Sequence, residues 1–232
     1  MCRMLVAEGA RHATALAHQN PEYPDNSADQ LRTATAELAT LLAVKQVPLS
    51  VYPTGEVMLS YTTAEEWKAG RLLSVGDRRR WLLVEMPHDA FMDVLPLAES
   101  LRPSGVRPII AHAERYPELL DDLALTAEWI KAGCLIQVTA RALAEPSDAD
   151  AERALKRWVT DGFVHLFGSD GHGIDRRRPI LSGGFARLTQ WAGRAAAERI
   201  ASLWGVAVLQ GLPVNVPPPQ SRRSWFTRLF GG

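Results

Sequence analysis

Residues 81–87 read Trp-Leu-Leu-Val-Glu-Met-Pro: four apolar residues in a row, then a carboxylate, then a proline stop. An apolar run without polar alternation fits a strand covered on both faces, as in a parallel sheet clothed by helices. A carboxylate at the end of such a strand is nearly buried. A buried charge must be paired or bound to a metal.

Working outward from this stretch, short apolar runs recur: 13–18 (ATALAH), 49–52 (LSVY), 107–111 (RPIIA), 134–138 (CLIQV) and 164–167 (VHLF). Between them lie helical patterns. Residues 27–44 form a helix with Ser27 as N-cap, and 63–69 follow a capping box at 62–65. Further helices are expected at 94–101, 125–132, 148–161 and 184–203. An opening helix, stopped by Gly9, takes in Leu5, Val6 and Ala10, with His12 placed on it. The repeated strand-then-helix rhythm argues for an α/β fold with a parallel sheet. In the barrel version of that architecture, function collects at the C-terminal ends of the strands. Here those ends carry His18, Glu56, Glu85, His112, residues 137–139, and Asp170 with His172.

Composition narrows the partners. The chain has 232 residues, 47% hydrophobic and 22% charged, in the range of globular proteins. Lys plus Arg and Asp plus Glu each number 26, so net charge offers no argument for nucleic acid as the partner. Cys2 and Cys134 are the two cysteines, which suggests neither a disulfide framework nor a thiolate metal site and fits a reducing cytoplasm. No apolar run reaches the length of a membrane span. The segment 213–232 breaks the rhythm with a proline stretch and then a short basic and aromatic tail. In that tail Trp225, Phe226, Leu229 and Phe230 can share one helix face beside Arg222, Arg223 and Arg228, a possible contact for a membrane surface or partner.

Each strand-end residue alone is an ordinary turn residue. Together, three imidazoles and three carboxylates on successive strands converge on one mouth. Mixed His and Asp/Glu ligands suit Mn²⁺, Fe²⁺ or Zn²⁺ better than a thiolate-seeking metal. Bridging carboxylates allow two or more ions, which suits phosphoryl transfer to water. Arg115 and the cluster Arg176, Arg177 and Arg178 supply guanidinium forks for a phosphate. His12, His88 and His165 are read as structural.

The segments IIAHAERY (109–116), VEMP (84–87), GSDGHG (168–173) and ATALAHQNPEYP (13–24) resemble the PHP-superfamily protein-tyrosine phosphatases of bacterial capsule and exopolysaccharide operons, the CpsB/CapC/YwqE type. The resemblance spans residues 1–212, leaving 213–232 as a linker and tail. It implies a PHP-type distorted (β/α)7 TIM-like barrel and a cluster of divalent ions, commonly Mn²⁺, with Fe²⁺, Co²⁺ or Zn²⁺ as alternatives. It implies hydrolysis of phosphotyrosine on a bacterial tyrosine kinase of polysaccharide synthesis. By position, Glu56 would bridge two ions, with Glu85 and His112 completing one site. Asp170 would share the partner site, and His18 with His172 the third. Arg115 and one of Arg177 or Arg178 would hold phosphate while a metal-activated water attacks in line.

The family pattern begins with a strand carrying Asp-x-His-x-His, which has no counterpart here, since residues 1–18 already read like the inside of a domain. A longer natural protein is expected; the competing expectation is a degenerate, non-catalytic interaction protein. A small-molecule phosphoesterase of the histidinol-phosphatase kind is the alternative chemistry on the same barrel.

Overall fold

The computed structural model describes residues 1–87 and 90–219, so His88 and the basic-aromatic tail lie outside the described residues. Six strands form one parallel sheet in sequence order: β1 (His12–Gln19), β2 (Ser50–Met58), β3 (Trp81–Glu85), β4 (Arg107–Ile110), β5 (Leu135–Thr139) and β6 (Leu166–Gly168). Each neighbouring pair is joined by a crossover that contains helix. The result is a half-barrel with β1 and β6 at its edges among the described residues.

Side-chain alternation along β3 shows how the sheet is built. Trp81 and Leu83 turn to an inner cluster with Tyr52, Ile109, Leu135 and Leu166. Leu82 and Val84 turn to the larger outer cluster with Ile110, Ile136 and Val138, under the helices. The period of two puts Glu85 on the same face as Trp81 and Leu83, so it caps the inner stack. Glu56 stands likewise two positions beyond Thr54 and four beyond Tyr52 on β2, opposite His18 in the β1 register. The rim of acids and imidazoles is therefore a direct consequence of strand parity.

The helices are α1 (Cys2–Ala7), α2 (Ala28–Val44), α3 (Thr63–Lys68), α4 (Leu95–Leu101), α5 (Pro117–Asp121), α6 (Leu123–Lys131), α7 (Ala140–Ala144), α8 (Ala149–Thr160), α9 (Ser182–Ala192), α10 (Arg194–Glu198) and α11 (Trp204–Leu209). The Ser27 cap on α2 forms as expected, with Gln30 completing a capping box. From α11, Trp204, Val208 and Leu209 pack on the inner cluster, and the Trp81 indole N–H donates to Leu212 O at 3.0 Å. Val214 and Val216 also rest on that cluster. No helix among the described residues is long and apolar enough to cross a membrane.

Three sequence expectations are corrected. His12 opens β1 rather than lying on the first helix, and its Nδ1 meets the Tyr52 hydroxyl at 3.1 Å. The second strand does not stop at Pro53 but runs on to Met58. Pro53 is tolerated because β2 pairs with β3 only from Glu56 onward, so the missing N–H faces no strand. The last helix is not continuous over 184–203: Gly193, at φ +82°, ends α9 and starts α10.

Candidate metal centre

Four side chains, three from the ends of β1, β2 and β3 and His112 just past β4, meet at the rim. His18 Nδ1 lies 2.9 Å from Glu85 Oε1 and 3.4 Å from Glu56 Oε2. His112 Nε2 lies 3.4 Å from Glu56 Oε1 and 3.5 Å from Glu85 Oε2. Each glutamate thus turns one oxygen to each histidine. Both carboxylates are 4% exposed, so their charges cannot be left to water.

The electrostatics reflect that crowding. Burial alone would push the His112 imidazole down, but the Glu56 and Glu85 carboxylates outweigh it and raise its pKa to about 9. Burial would push Glu85 up, yet the bond from His112 and the charges of both histidines hold it below the usual carboxylate range. The site is thus cation-seeking: its two buried acids are stabilised by positive charge between them.

The donor set fits a divalent ion. One ligand atom each from His18, Glu56 and Glu85 lie within 4.8 Å of one another. Donors about 2.0–2.2 Å from a shared ion stand about 3.3–3.6 Å apart in a tetrahedral site, close to the 2.9 and 3.4 Å that separate His18 Nδ1 from the two carboxylates. Imidazole with carboxylate is the ligand mixture of Mn²⁺, Fe²⁺, Co²⁺ or Zn²⁺. His112 approaches the same two glutamates from the other side, at 3.4 and 3.5 Å.

The second half of the rim follows β6. Asp170 Oδ2 accepts from both Arg115 and Arg177. Burial would raise the Asp170 carboxyl, but those guanidiniums hold it below its ordinary value. His172 Nδ1 sits 2.9 Å from the Asp170 carbonyl and 3.6 Å from its Oδ1. Its ring centroid is 6.4 Å from that of His18. His18 is drawn in among the glutamates rather than standing with His172 alone. Arg178, by contrast, makes no ion pair with Asp170 among the described residues.

The backbone at the rim is bent to purpose. His112 (φ +33°), Asp170 (φ +49°) and Arg177 (φ +46°) are three of the six non-glycine residues with positive φ among the described residues. Such conformations cost of order 1–3 kcal/mol each and persist where surrounding contacts over-determine them. The contacts are visible at His112: its N–H donates to Gln137 Oε1 at 2.6 Å. Gly168 on β6 leaves room for that amide, since a Cβ there would come within 2.8 Å of Gln137 Nε2. Under β1, Gln19 binds Leu73 N, Asn26 O and Arg71 O through its amide, and Asn26 binds His18 O at 2.8 Å.

Sequence reasoning assigned no role to four residues that the structure ties to the centre. Tyr116 bridges His112 and the end of β3. Gln137 holds the His112 backbone. Glu114 Oε1 accepts the backbone N–H and the hydroxyl of Thr139, at 3.2 and 2.6 Å. Tyr23 stacks on His18, with centroids 5.6 Å apart. The available signal was position: Glu114 and Tyr116 follow His112 within one turn, and Gln137 stands at a strand end.

Comparison with known proteins agrees with this geometry. The chain is 28% identical over 178 residues to tyrosine-protein phosphatase YwqE of Bacillus subtilis (strain 168), covering 76% of this chain and 70% of that protein. It is 23% identical over 171 residues to tyrosine-protein phosphatase CpsB of Streptococcus agalactiae serotype III (strain NEM316), covering 72% and 60%. A crystal structure from work on YwqE of B. subtilis and CpsB of Streptococcus pneumoniae, described as metal-dependent tyrosine phosphatases, superposes with a TM-score of 0.87. It has 25% identity and covers 95% of this chain and 89% of that one. Residues 1–210 match the family described as capsular polysaccharide synthesis, CpsB/CapC, and the chain belongs to that family.

Proposed function

We propose that this chain is a metal-dependent protein-tyrosine phosphatase acting on phosphotyrosine of a bacterial tyrosine kinase that regulates capsule or exopolysaccharide synthesis. The observation that carries the reading is the pair Glu56 and Glu85, each offering one oxygen toward His18 and one toward His112, beside two arginines gathered on Asp170.

In this reading His18, Glu56, Glu85 and His112 would hold the divalent metal. Asp170 and His172 extend the ligand set. Mn²⁺ is the ion we assign, with Fe²⁺, Co²⁺ and Zn²⁺ as substitutes. A divalent ion held there supplies Lewis acidity, acidifying a water nucleophile and screening phosphoryl charge. Arg115 and Arg177 bind the phosphoryl oxygens, exchanging part of their contact with Asp170 for the substrate. No thiolate is needed, and Cys134 is unsuited to supply one: burial pushes its thiol up to about 12. The two arginine side chains are 45% and 42% exposed, and His172 is 38% exposed. An open rim of this kind admits a phosphotyrosine presented on a protein and favours that substrate over a small phosphomonoester. Residues 1–212 would form the catalytic body, with Val214 and Val216 packed against it at the start of the 213–232 linker and tail.

The test is turnover of a phosphotyrosine peptide by protein stripped of metal and reloaded with Mn²⁺. Activity that returns with Mn²⁺ and exceeds that on histidinol phosphate supports the proposal. A loaded protein that leaves phosphotyrosine untouched overturns it.

A further inference from the structure

The side of His112 away from the glutamates carries a second arrangement. Its Nδ1 lies 3.2 Å from the Tyr116 hydroxyl oxygen. The same oxygen accepts the backbone N–H of Met86 at 3.0 Å. Met86 immediately follows Glu85 at the end of β3, and His112 follows β4. One phenol oxygen therefore ties together the two chain segments that deliver a carboxylate and an imidazole to the rim. Tyr116 itself is held by packing against the outer cluster.

The chemistry of a neutral imidazole makes this contact consequential. Only one ring nitrogen carries the proton, and only the other has a lone pair to offer. The nitrogen facing Glu56 and Glu85 is Nε2. For His112 to act as a ligand there, Nε2 must be bare and Nδ1 must carry the hydrogen. The Tyr116 oxygen is the acceptor positioned for that hydrogen. We propose that Tyr116 is a positioning residue for the metal centre: it accepts the Nδ1–H of His112, fixes the tautomer that presents Nε2 to a divalent ion, and holds the ring in register with Glu85 through Met86 N–H. Partners of this kind orient a metal-binding histidine and raise its basicity, and their loss typically costs about 10- to 100-fold in metal affinity.

The inference rests on the metal-dependent reading above, and Tyr116→Phe tests it by removing the oxygen while leaving the ring in its packing. Zn²⁺ is the probe, being diamagnetic, with affinity measured by competition against a chelator and the His112 ring followed by long-range ¹H–¹⁵N correlation. The expected result is a 10- to 100-fold weaker Zn²⁺ affinity in Tyr116→Phe, with a folded metal-free protein whose melting temperature falls by roughly 2–8 °C because Met86 N–H loses its acceptor. In the Zn²⁺-loaded parent, the ring nitrogen bearing the proton should be Nδ1. A parent ring bound through Nδ1 overturns the inference without recourse to the variant. So does a Tyr116→Phe affinity within twofold of the parent. A parent protein that takes up no Zn²⁺ and no Mn²⁺ overturns the metal-dependent reading itself, and this inference with it.

Discussion

Glu56 and Glu85 are the residues on which the rim depends most. Replacing either with Gln preserves shape and removes the charge that makes the site cation-seeking. We expect each variant to lose about 10²-fold or more in phosphotyrosine turnover, together with a measurable loss of Mn²⁺ affinity by calorimetry. The arginines separate by geometry. Arg177 reaches Asp170 at the rim, so Arg177→Ala should lower kcat/KM by about 10²-fold. Arg178 makes no ion pair with Asp170, so Arg178→Ala should change kcat/KM less than about threefold. Steady-state kinetics on one phosphotyrosine peptide decides between them. His165 offers a test remote from the rim. Its Nδ1 accepts Ile136 N–H at 3.0 Å and burial depresses its pKa to about 3. An unfolded histidine titrates near 6.5, so between about pH 6.5 and 3 the unfolded chain binds a proton that the folded chain refuses. Stability must therefore fall on acidification through that window, by up to about 1.4 kcal/mol per pH unit from this one group. His165→Asn keeps an acceptor without titrating. Urea unfolding at pH 7.5 and pH 5 should show a smaller loss in the variant than in the parent.

At the scale of elements, the loop between β6 and α9 delivers Asp170, His172 and Arg177, and α9 anchors its far end. The helix has no side-chain cap of its own. Glu8, just past α1, accepts Leu181 N–H at 2.9 Å and Ser182 N–H at 2.8 Å. Those bonds, and more weakly the Arg178 charge, hold its carboxyl below the usual range. Glu8→Ala removes an anionic cap joined across more than 170 residues of sequence. It should cost about 1 kcal/mol, or roughly 2–4 °C in Tm by calorimetry. Gly55 constrains β2 differently. A Cβ there would stand 2.0 Å from Gln19 Oε1, whose amide ties β1 to Leu73, Asn26 and Arg71. Gly55→Ala should destabilise by about 1–3 kcal/mol through overpacking, seen as a lower urea midpoint with an unchanged slope.

For the whole molecule, the acids and imidazoles of the rim make ion binding part of the stability. An ion that binds only the folded state contributes about 2.7 kcal/mol at a concentration one hundredfold above its Kd. Saturating Mn²⁺ should accordingly raise Tm by roughly 5–10 °C, and chelation should reverse the shift. The inner cluster beneath the rim includes residues of α11 as well as five strands. The base of the site is thus closed by the last of the described residues.

The sequence by itself determined the parallel α/β architecture and the roster of polar strand ends. Both are local consequences of burial: an uninterrupted apolar run such as WLLV must be covered on both faces, and the residue that breaks it marks the strand's end. It also carried the HAERY and SDGH motifs into one rim. What only the tertiary structure decided was how those residues share atoms. His18 and Glu85 meet across 67 positions, and Met86 and Tyr116 across 30. No periodicity encodes which carboxylate oxygen faces which imidazole, or which of Arg177 and Arg178 turns to Asp170. Those choices follow from strand register, from the positive-φ bends at His112, Asp170 and Arg177, and from the space that Gly55 and Gly168 leave for neighbouring amides. Pro53 and Gly193 mark the same limit from the other side. Whether a proline ends a strand or a glycine breaks a helix depends on what stands beside it, and that is settled only when the chain is folded.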